Sequence, residues 1–172
     1  MSNVADPISP HCVIADDLRA SRELLRSWIA ECGYNCTTTA NGEDAWEAVK
    51  ALQPQLIVTD IEMPVASGLD LLCSLRHHRS KRLRSIPVIV ISSLQDDDIR
   101  SFVQSAGGTV FLTKPLDKIR TQQVVQRLDQ VASAANRDFQ YTVHEQPWPN
   151  KRISPTLRRL YREVQENGPK FS

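Results

Sequence analysis

Short apolar runs and longer helical periods alternate five times along this chain, and that alternation limits the fold more than any other feature. The runs are Cys12-Val13-Ile14-Ala15, Leu56-Ile57-Val58, Val88-Ile89-Val90-Ile91 and Val110-Phe111-Leu112. A polar, threonine-rich one, Asn35 to Thr39, reads as an edge strand. Each is short, β-branched and bounded by turn or charged residues, as strands are. Between them, apolar residues recur at spacings of three and four. They do so over Leu18–Cys32 (Leu25, Trp28, Ile29), Gly42–Leu52 (Ala45, Trp46, Val49) and Leu69–His78 (Leu71, Leu72, Leu75). They recur again over Asp96–Ala106 (Ile99, Phe102, Val103) and Leu116–Ala135 (Val124, Leu128, Val131). Gly33, Pro54, Pro87 and Gly107-Gly108 punctuate the pattern where helices should stop or strands start. Strict alternation predicts an α/β fold, a doubly wound five-stranded parallel sheet, because every parallel crossover needs a helix. Fully apolar strands such as VIVI fit a sheet covered on both faces.

The pattern occupies residues 11–135. Residues 1–10 form an N-terminal arm, and 136–172 a C-terminal extension of different character. The extension holds Pro147, Pro149, Pro155 and Pro169, with seven basic and four acidic residues, against 14 and 16 in the first 135. Formal net charge over the 172 residues is only +1, which argues against holding nucleic acid or an anionic membrane by bulk charge. No apolar run approaches the ~20 residues of a membrane span, and MSNVADPISP has neither the basic start nor the apolar stretch of a signal peptide. Cys12, Cys32, Cys36 and Cys73 lack a second ligand pair at zinc spacing, so they read as free thiols in a reducing cytoplasm.

In an open parallel sheet, ligands bind beyond the carboxyl ends of the strands, where the strand order reverses. Asp16 and Asp17 follow the first strand, Asp60 the third, Ser92 and Ser93 the fourth, and Thr113, Lys114 and Pro115 the fifth. If strands one and three are neighbours, the three carboxylates meet. Clustered carboxylates repel and need a counter-charge. An oxygen-only donor set favours a hard cation, Mg²⁺ with Mn²⁺ as a substitute, and hence phosphate chemistry. A carboxylate can itself be the nucleophile, and Asp60, at the tip of the central strand, is best placed. Mg²⁺ and Lys114 would offset charge on phosphoryl oxygens, and Ser92 could donate to one. Singly, each residue has a plainer reading: Asp16 or Asp17 as a helix cap, Asp60 in a turn, Ser92 as a loop hydroxyl, Lys114 as a solvated charge. Their joint placement at four strand ends is what points to a site.

These residues resemble the receiver domain of bacterial two-component response regulators, of the chemotaxis-regulator type. The matching stretches are VIADD (13–17), IVTDIEMPVASGLDLL (57–72), IPVIVISS (86–93) and FLTKP (111–115), in order and correctly spaced. The resemblance implies a flavodoxin-like strand order of 2-1-3-4-5. It implies that Asp60 accepts phosphate from a histidine kinase or histidine phosphotransfer protein. Asp16, Asp17, Asp60 and the backbone carbonyl of Glu62 would hold Mg²⁺. Lys114 is the family's lysine, Ser92 its switch hydroxyl, Phe111 its switch aromatic, and Pro115 a proline after a cis bond. Met63-Pro64 and Gly68 match the loop after the phosphoacceptor. Serine replaces the commoner threonine at 92, which keeps the hydroxyl, and Glu62 and Leu94 stand at positions that tune dephosphorylation. Phosphorylation would draw Ser92 and Lys114 inward and remodel the face of the fourth helical period, fifth strand and fifth helical period.

The extension offers one short amphipathic helix rather than a DNA-binding helix-turn-helix. Ser154 suits an N-cap, Pro155 the first turn, and Gly168-Pro169 a stop. Leu157, Leu160, Tyr161 and Val164 make one stripe, and Arg158, Arg159 and Arg162 lie off it. Packing on its own receiver, or solvation, is the plain account. Docking on a second subunit or partner and contact with nucleic acid are the others. Trp148 is a candidate anchor for the connecting segment, and Arg76, Arg79, Lys81, Arg82 and Arg84 read as a solvated basic loop. The expectation is therefore a phosphorylation-controlled signalling switch, not an enzyme beyond its own phosphorylation and dephosphorylation. It would signal by protein–protein interaction with a downstream partner or as a homodimer, without membrane. Two alternatives are a transcriptional regulator whose basic tail contacts DNA, and a phosphatase using Asp60, for which Glu62 stands where such enzymes usually need an aspartate.

Overall fold

The computed structural model describes residues 9–94 and 97–134, together with positions 155, 158, 159, 162, 166 and 168–171. The element order is β1 (His11–Ala15), α1 (Arg19–Ala30), β2 (Asn35–Thr39), α2 (Gly42–Leu52), β3 (Leu56–Asp60), α3 (Gly68–His77), α4 (Lys81–Arg84), β4 (Val88–Ser92), α5 (Asp97–Ser105), β5 (Val110–Thr113) and α6 (Lys118–Ala134). The fourth and fifth helical periods of the sequence are thus α5 and α6. The five strands form one sheet of order β2-β1-β3-β4-β5, and every pair is parallel. The expected doubly wound sheet is therefore present, with β1 beside β3.

Alternation along the strands splits the core in two, since successive side chains point to opposite faces. Val13, Ala15, Ile57, Val88 and Val90 face Trp46 and Val49 of α2, Leu71, Leu72 and Leu75 of α3, and Ile99 and Val103 of α5. Cys12, Ile14, Leu56, Val58, Ile89 and Ile91 face Leu25 and Ile29 of α1 and Val125 of α6. The central strands β3 and β4 are buried along their whole length, whereas the threonines of β2 are half-buried at the sheet edge.

Local chemistry sets the helix starts. Asn41 caps α2 by accepting from the Asp44 N–H, and Ser67 and Asp70 form a reciprocal capping box at the start of α3. Leu18 makes no side-chain cap for α1. Instead Asp16 accepts from the Leu18 N–H at 2.9 Å, so this aspartate orders the turn before the helix.

The basic stretch differs from the solvated loop expected of it. Lys81–Arg84 forms a short helix capped by Ser80, with Leu83 reaching the core. Arg76 is only 5% exposed. Its guanidinium donates to the carbonyls of Gly107 (2.8 Å), Arg84 (2.8 Å) and Ile86 (3.0 Å), tying α3 to the entries of β4 and β5. The reason is geometric: α3 ends at the amino edge of the sheet, where unpaired carbonyls need donors. Gly107 takes φ +88 against this side chain, a conformation that glycine tolerates best.

In the extension, Pro155, Arg158, Arg159, Arg162 and Glu166 are helical and exposed. The stripe Leu157, Leu160, Tyr161 and Val164, Trp148, and residues 1–8 of the arm lie outside the described residues. Phe171 packs against the α2–α3 side of the core, a contact that no periodicity announces.

Candidate functional site

The order β2-β1-β3 puts the topological switch between β1 and β3, so the carboxyl ends of these strands open onto one crevice. Asp16 follows β1 directly and Asp60 ends β3. One carboxylate oxygen from each of Asp16, Asp17 and Asp60 lies within 4.8 Å of the other two. Asp16 and Asp60 are buried and Asp17 is exposed, so the group has a closed floor and an open mouth. The Lys114 ammonium reaches in from the end of β5. It sits 2.5 Å from Asp60 Oδ2 and 3.0 Å from Asp16 Oδ2. The Lys114–Pro115 bond is cis, and the Lys114 N–H donates to the Ser92 carbonyl at 2.8 Å.

Burial pushes the Asp60 carboxyl up, with Asp16 adding to the rise, while Lys114 and the Glu62 backbone N–H pull against it. For Lys114, burial alone would lower the ammonium, but its hydrogen bonds to Asp60 and Asp16 outweigh that and hold it up. The lysine is thus a fixed positive charge. It pairs with two of the three carboxylates, which leaves an excess of negative charge in a small, oxygen-lined space. That donor set fits a hard divalent cation such as Mg²⁺.

Ser92 ends β4 next to this group, because β3 pairs Asp60 with Ile91, one residue earlier. It is buried, and its Oγ accepts from the Leu94 N–H at 3.0 Å. Phe111, 8% exposed, lies in the core on the α5 side, with the Arg100 guanidinium 5.5 Å over its ring. The loop from Ile61 to Ser67 leads from Asp60 into α3, with Glu62 exposed. Gly68 closes it. A Cβ there would stand 2.0 Å from the Asp60 carbonyl oxygen, so α3 begins this close to the site only because residue 68 has no side chain.

Two residues escaped the sequence reading. Ser21 Oγ donates to Asp16 Oδ2 at 2.6 Å, and Arg22 Nη1 donates to the backbone carbonyls of Asp16 (2.6 Å) and Asp17 (2.9 Å). They brace the acidic pair from the first turn of α1. Their only sequence signal is position, about one helical turn after the aspartates.

Comparison with known proteins identifies the family. The family model described as the response regulator receiver domain matches residues 12–126. The DNA-binding transcriptional regulator NtrC of Azospirillum brasilense is 34% identical over 116 residues, covering 67% of this chain and 23% of that protein. The 3',5'-cyclic-nucleotide phosphodiesterase regA of Dictyostelium discoideum is 29% identical over 180 aligned residues, covering 100% of this chain and 22% of its own length. The chain therefore spans under a quarter of either relative. The receiver domain of a Francisella response regulator superposes with a TM-score of 0.64 at 26% identity, over 70% of this chain and 97% of its own. A match that runs through all five strands and both strand ends bearing the acidic group leaves one assignment: the chain belongs to the response regulator receiver domain family of two-component signalling.

Proposed function

We propose that Asp60 is a phosphoacceptor and that residues 11–135 are a switch driven by its phosphorylation. The observation that carries this reading is the Lys114 ammonium bridging Asp60 and Asp16 at 2.5 and 3.0 Å, within a group of three carboxylates. The donor would be a phosphohistidine of a histidine kinase or phosphotransfer protein. An Asp60 carboxylate oxygen attacks phosphorus, the P–N bond breaks, and the electron pair leaves on the histidine nitrogen. Asp16, Asp17, Asp60 and the Glu62 carbonyl would hold Mg²⁺, which when bound neutralises part of the charge on the phosphoryl oxygens. Lys114 is already placed to take a share of that charge. Ser21 and Arg22 position the acidic pair.

Once Asp60 carries the added negative charge, Ser92 and Lys114 are the donors that turn toward it. Phe111, one strand away, is the side chain that follows. The α5–β5–α6 face is then the surface that changes, and output is by protein contact there or through residues 136–172, in a homodimer or with a downstream partner. Among the described residues no helix is long and apolar enough to cross a membrane, in keeping with a cytoplasmic switch. Exposed Arg158 and Arg162 on a helical segment support a second reading, contact of the extension with DNA. It predicts salt-dependent duplex binding that is lost on deleting residues 136–172.

Intact-mass measurement after incubation with Mg²⁺ and acetyl phosphate tests the main reading. Wild type should gain one phosphoryl group and Asp60→Asn none. No adduct, or one that survives Asp60→Asn, would refute it.

A further inference from the structure

Lys170 and Phe171 lie against the outer side of α2, α3 and the loop before α3. Phe171 stacks on Trp46 of α2, with ring centroids 5.8 Å apart and planes at 16°. His78, at the end of α3, meets the same indole edge-on at 5.6 Å. The Phe171 N–H donates to Ser74 Oγ at 3.1 Å. The Lys170 ammonium donates to the Val65 carbonyl at 2.6 Å. An aromatic anchor, a backbone bond and a charged donor thus come from adjacent residues, which is how a short peptide is recognised on a helical face. Pro169, whose ring fixes its own φ, precedes the two contacting residues and limits the freedom they lose on docking.

Where Lys170 lands is the informative part. Val65 is the 64% exposed tip of the loop between Asp60 and α3, and it sits at φ +67, a strained conformation for a β-branched residue. The loop is held at its base by the Ile61 N–H to Ile91 and the Gly68 N–H to Ile61, and it is tied to α2 by the Gly42 N–H to the Ala66 carbonyl at 2.9 Å. The Trp46 helix, the strained tip and the docked segment are therefore one connected unit. Glu62, whose carbonyl we assign to the cation, belongs to the same loop.

We propose that the α2–α3 face is a docking surface for this chain's own Lys170-Phe171 segment, and that docking is coupled to cation binding through the Val65 loop. The proposal rests on the assignment of the acidic group as a Mg²⁺ site. Holding the loop tip in place removes part of the ordering that cation binding would otherwise require, so the docked state binds Mg²⁺ more tightly. By reciprocity, Mg²⁺ tightens the docking.

The test uses the full chain and two variants, Phe171→Ala and Lys170→Met, the second of which removes an exposed donor and leaves the core untouched. The Trp46 indole N–H resonance, assigned with Trp46→Phe, reports docking, because loss of the stacked ring shifts it. Calorimetric titration with Mg²⁺ reports coupling. Both variants should bind Mg²⁺ about fivefold more weakly, a modest coupling. Phe171→Ala should also displace the indole resonance, and adding Mg²⁺ should move that resonance in wild type but not in Phe171→Ala. An unmoved resonance in Phe171→Ala overturns the docking. A moved resonance with wild-type Mg²⁺ affinity overturns the coupling while leaving the Mg²⁺ site intact. Absence of Mg²⁺ binding in wild type overturns the site and the coupling together.

Discussion

Replacing Asp60 by asparagine should make this protein more stable, although it removes a buried salt-bridge partner. Lys114 attracts the Asp60 carboxylate at 2.5 Å, worth about 6–7 kcal/mol at an effective dielectric constant of ~20. Asp16 and Asp17 repel it, and at separations within 4.8 Å each opposes it by at least about 3–4 kcal/mol on the same scale, before the stronger screening of the exposed Asp17. Attraction and repulsion largely offset each other. What remains is the burial of a carboxylate that is 5% exposed, typically several kcal/mol per ion. Asparagine avoids that charge but still needs polar partners, and Lys114 keeps Asp16 at 3.0 Å. The expected gain is about 1–2 kcal/mol at pH 7 without Mg²⁺, the scale of other exchanges of function for stability. The pH dependence has a definite sign. The Asp60 carboxyl is raised in the folded protein above its ordinary 3.8, mainly by burial, so the wild type carries its penalty only when Asp60 is ionised. The gap to Asp60→Asn is full above the raised value, narrows as pH falls through it, and closes below 3.8. Urea unfolding of both proteins across this range measures it, and excess Mg²⁺ should shrink the gap by stabilising the wild type preferentially. A variant no more stable than wild type at pH 7 would show that the Lys114 pairing outweighs burial, and the electrostatic account of the site would be wrong.

Other perturbations probe the scaffold. Gly68→Ala forces a Cβ to 2.0 Å from the Asp60 carbonyl oxygen and should cost about 3 kcal/mol by chemical denaturation, with phosphorylation impaired. Arg76→Met strips donors from the carbonyls of Gly107, Arg84 and Ile86 and should cost at least about 3 kcal/mol, whereas a solvated arginine would cost almost nothing. Tyr34→Phe removes the hydroxyl that donates to the Asp129 carboxylate between β2 and α6, and should lower stability by about 1.5–3 kcal/mol. Hydrogen exchange in that variant should rise first along α6.

Much of this molecule was legible before folding. The runs CVIA, LIV, VIVI and VFL mark strands whatever they pair with, because a pleated strand buried on both faces requires apolar side chains at every position. The structure lengthens three of them into Asp60, Ser92 and Thr113, polar residues placed where the carboxyl ends open onto the crevice. Arg76 and Phe171 were not legible. A charged residue in a basic stretch looks solvated until the unpaired carbonyls of two strand entries are brought around it. An aromatic residue after Gly-Pro-Lys carries no periodicity, so its partner Trp46, far back in the chain, cannot be inferred from its neighbours. Ser21 and Arg22 fall between: their spacing fits a brace, yet many helix residues share it.

Local chemistry by itself determined which segments are strands and helices, which of their faces are buried, and that acids, a hydroxyl and a lysine stand at the strand ends, since these follow from side-chain period and turn residues within a few positions. Only the tertiary structure decided that β1 lies beside β3, that Lys114 touches two of three carboxylates, and that Lys170 reaches the Val65 loop. Those distances come from pairing and packing between segments remote in sequence, where no local preference favours one partner over another.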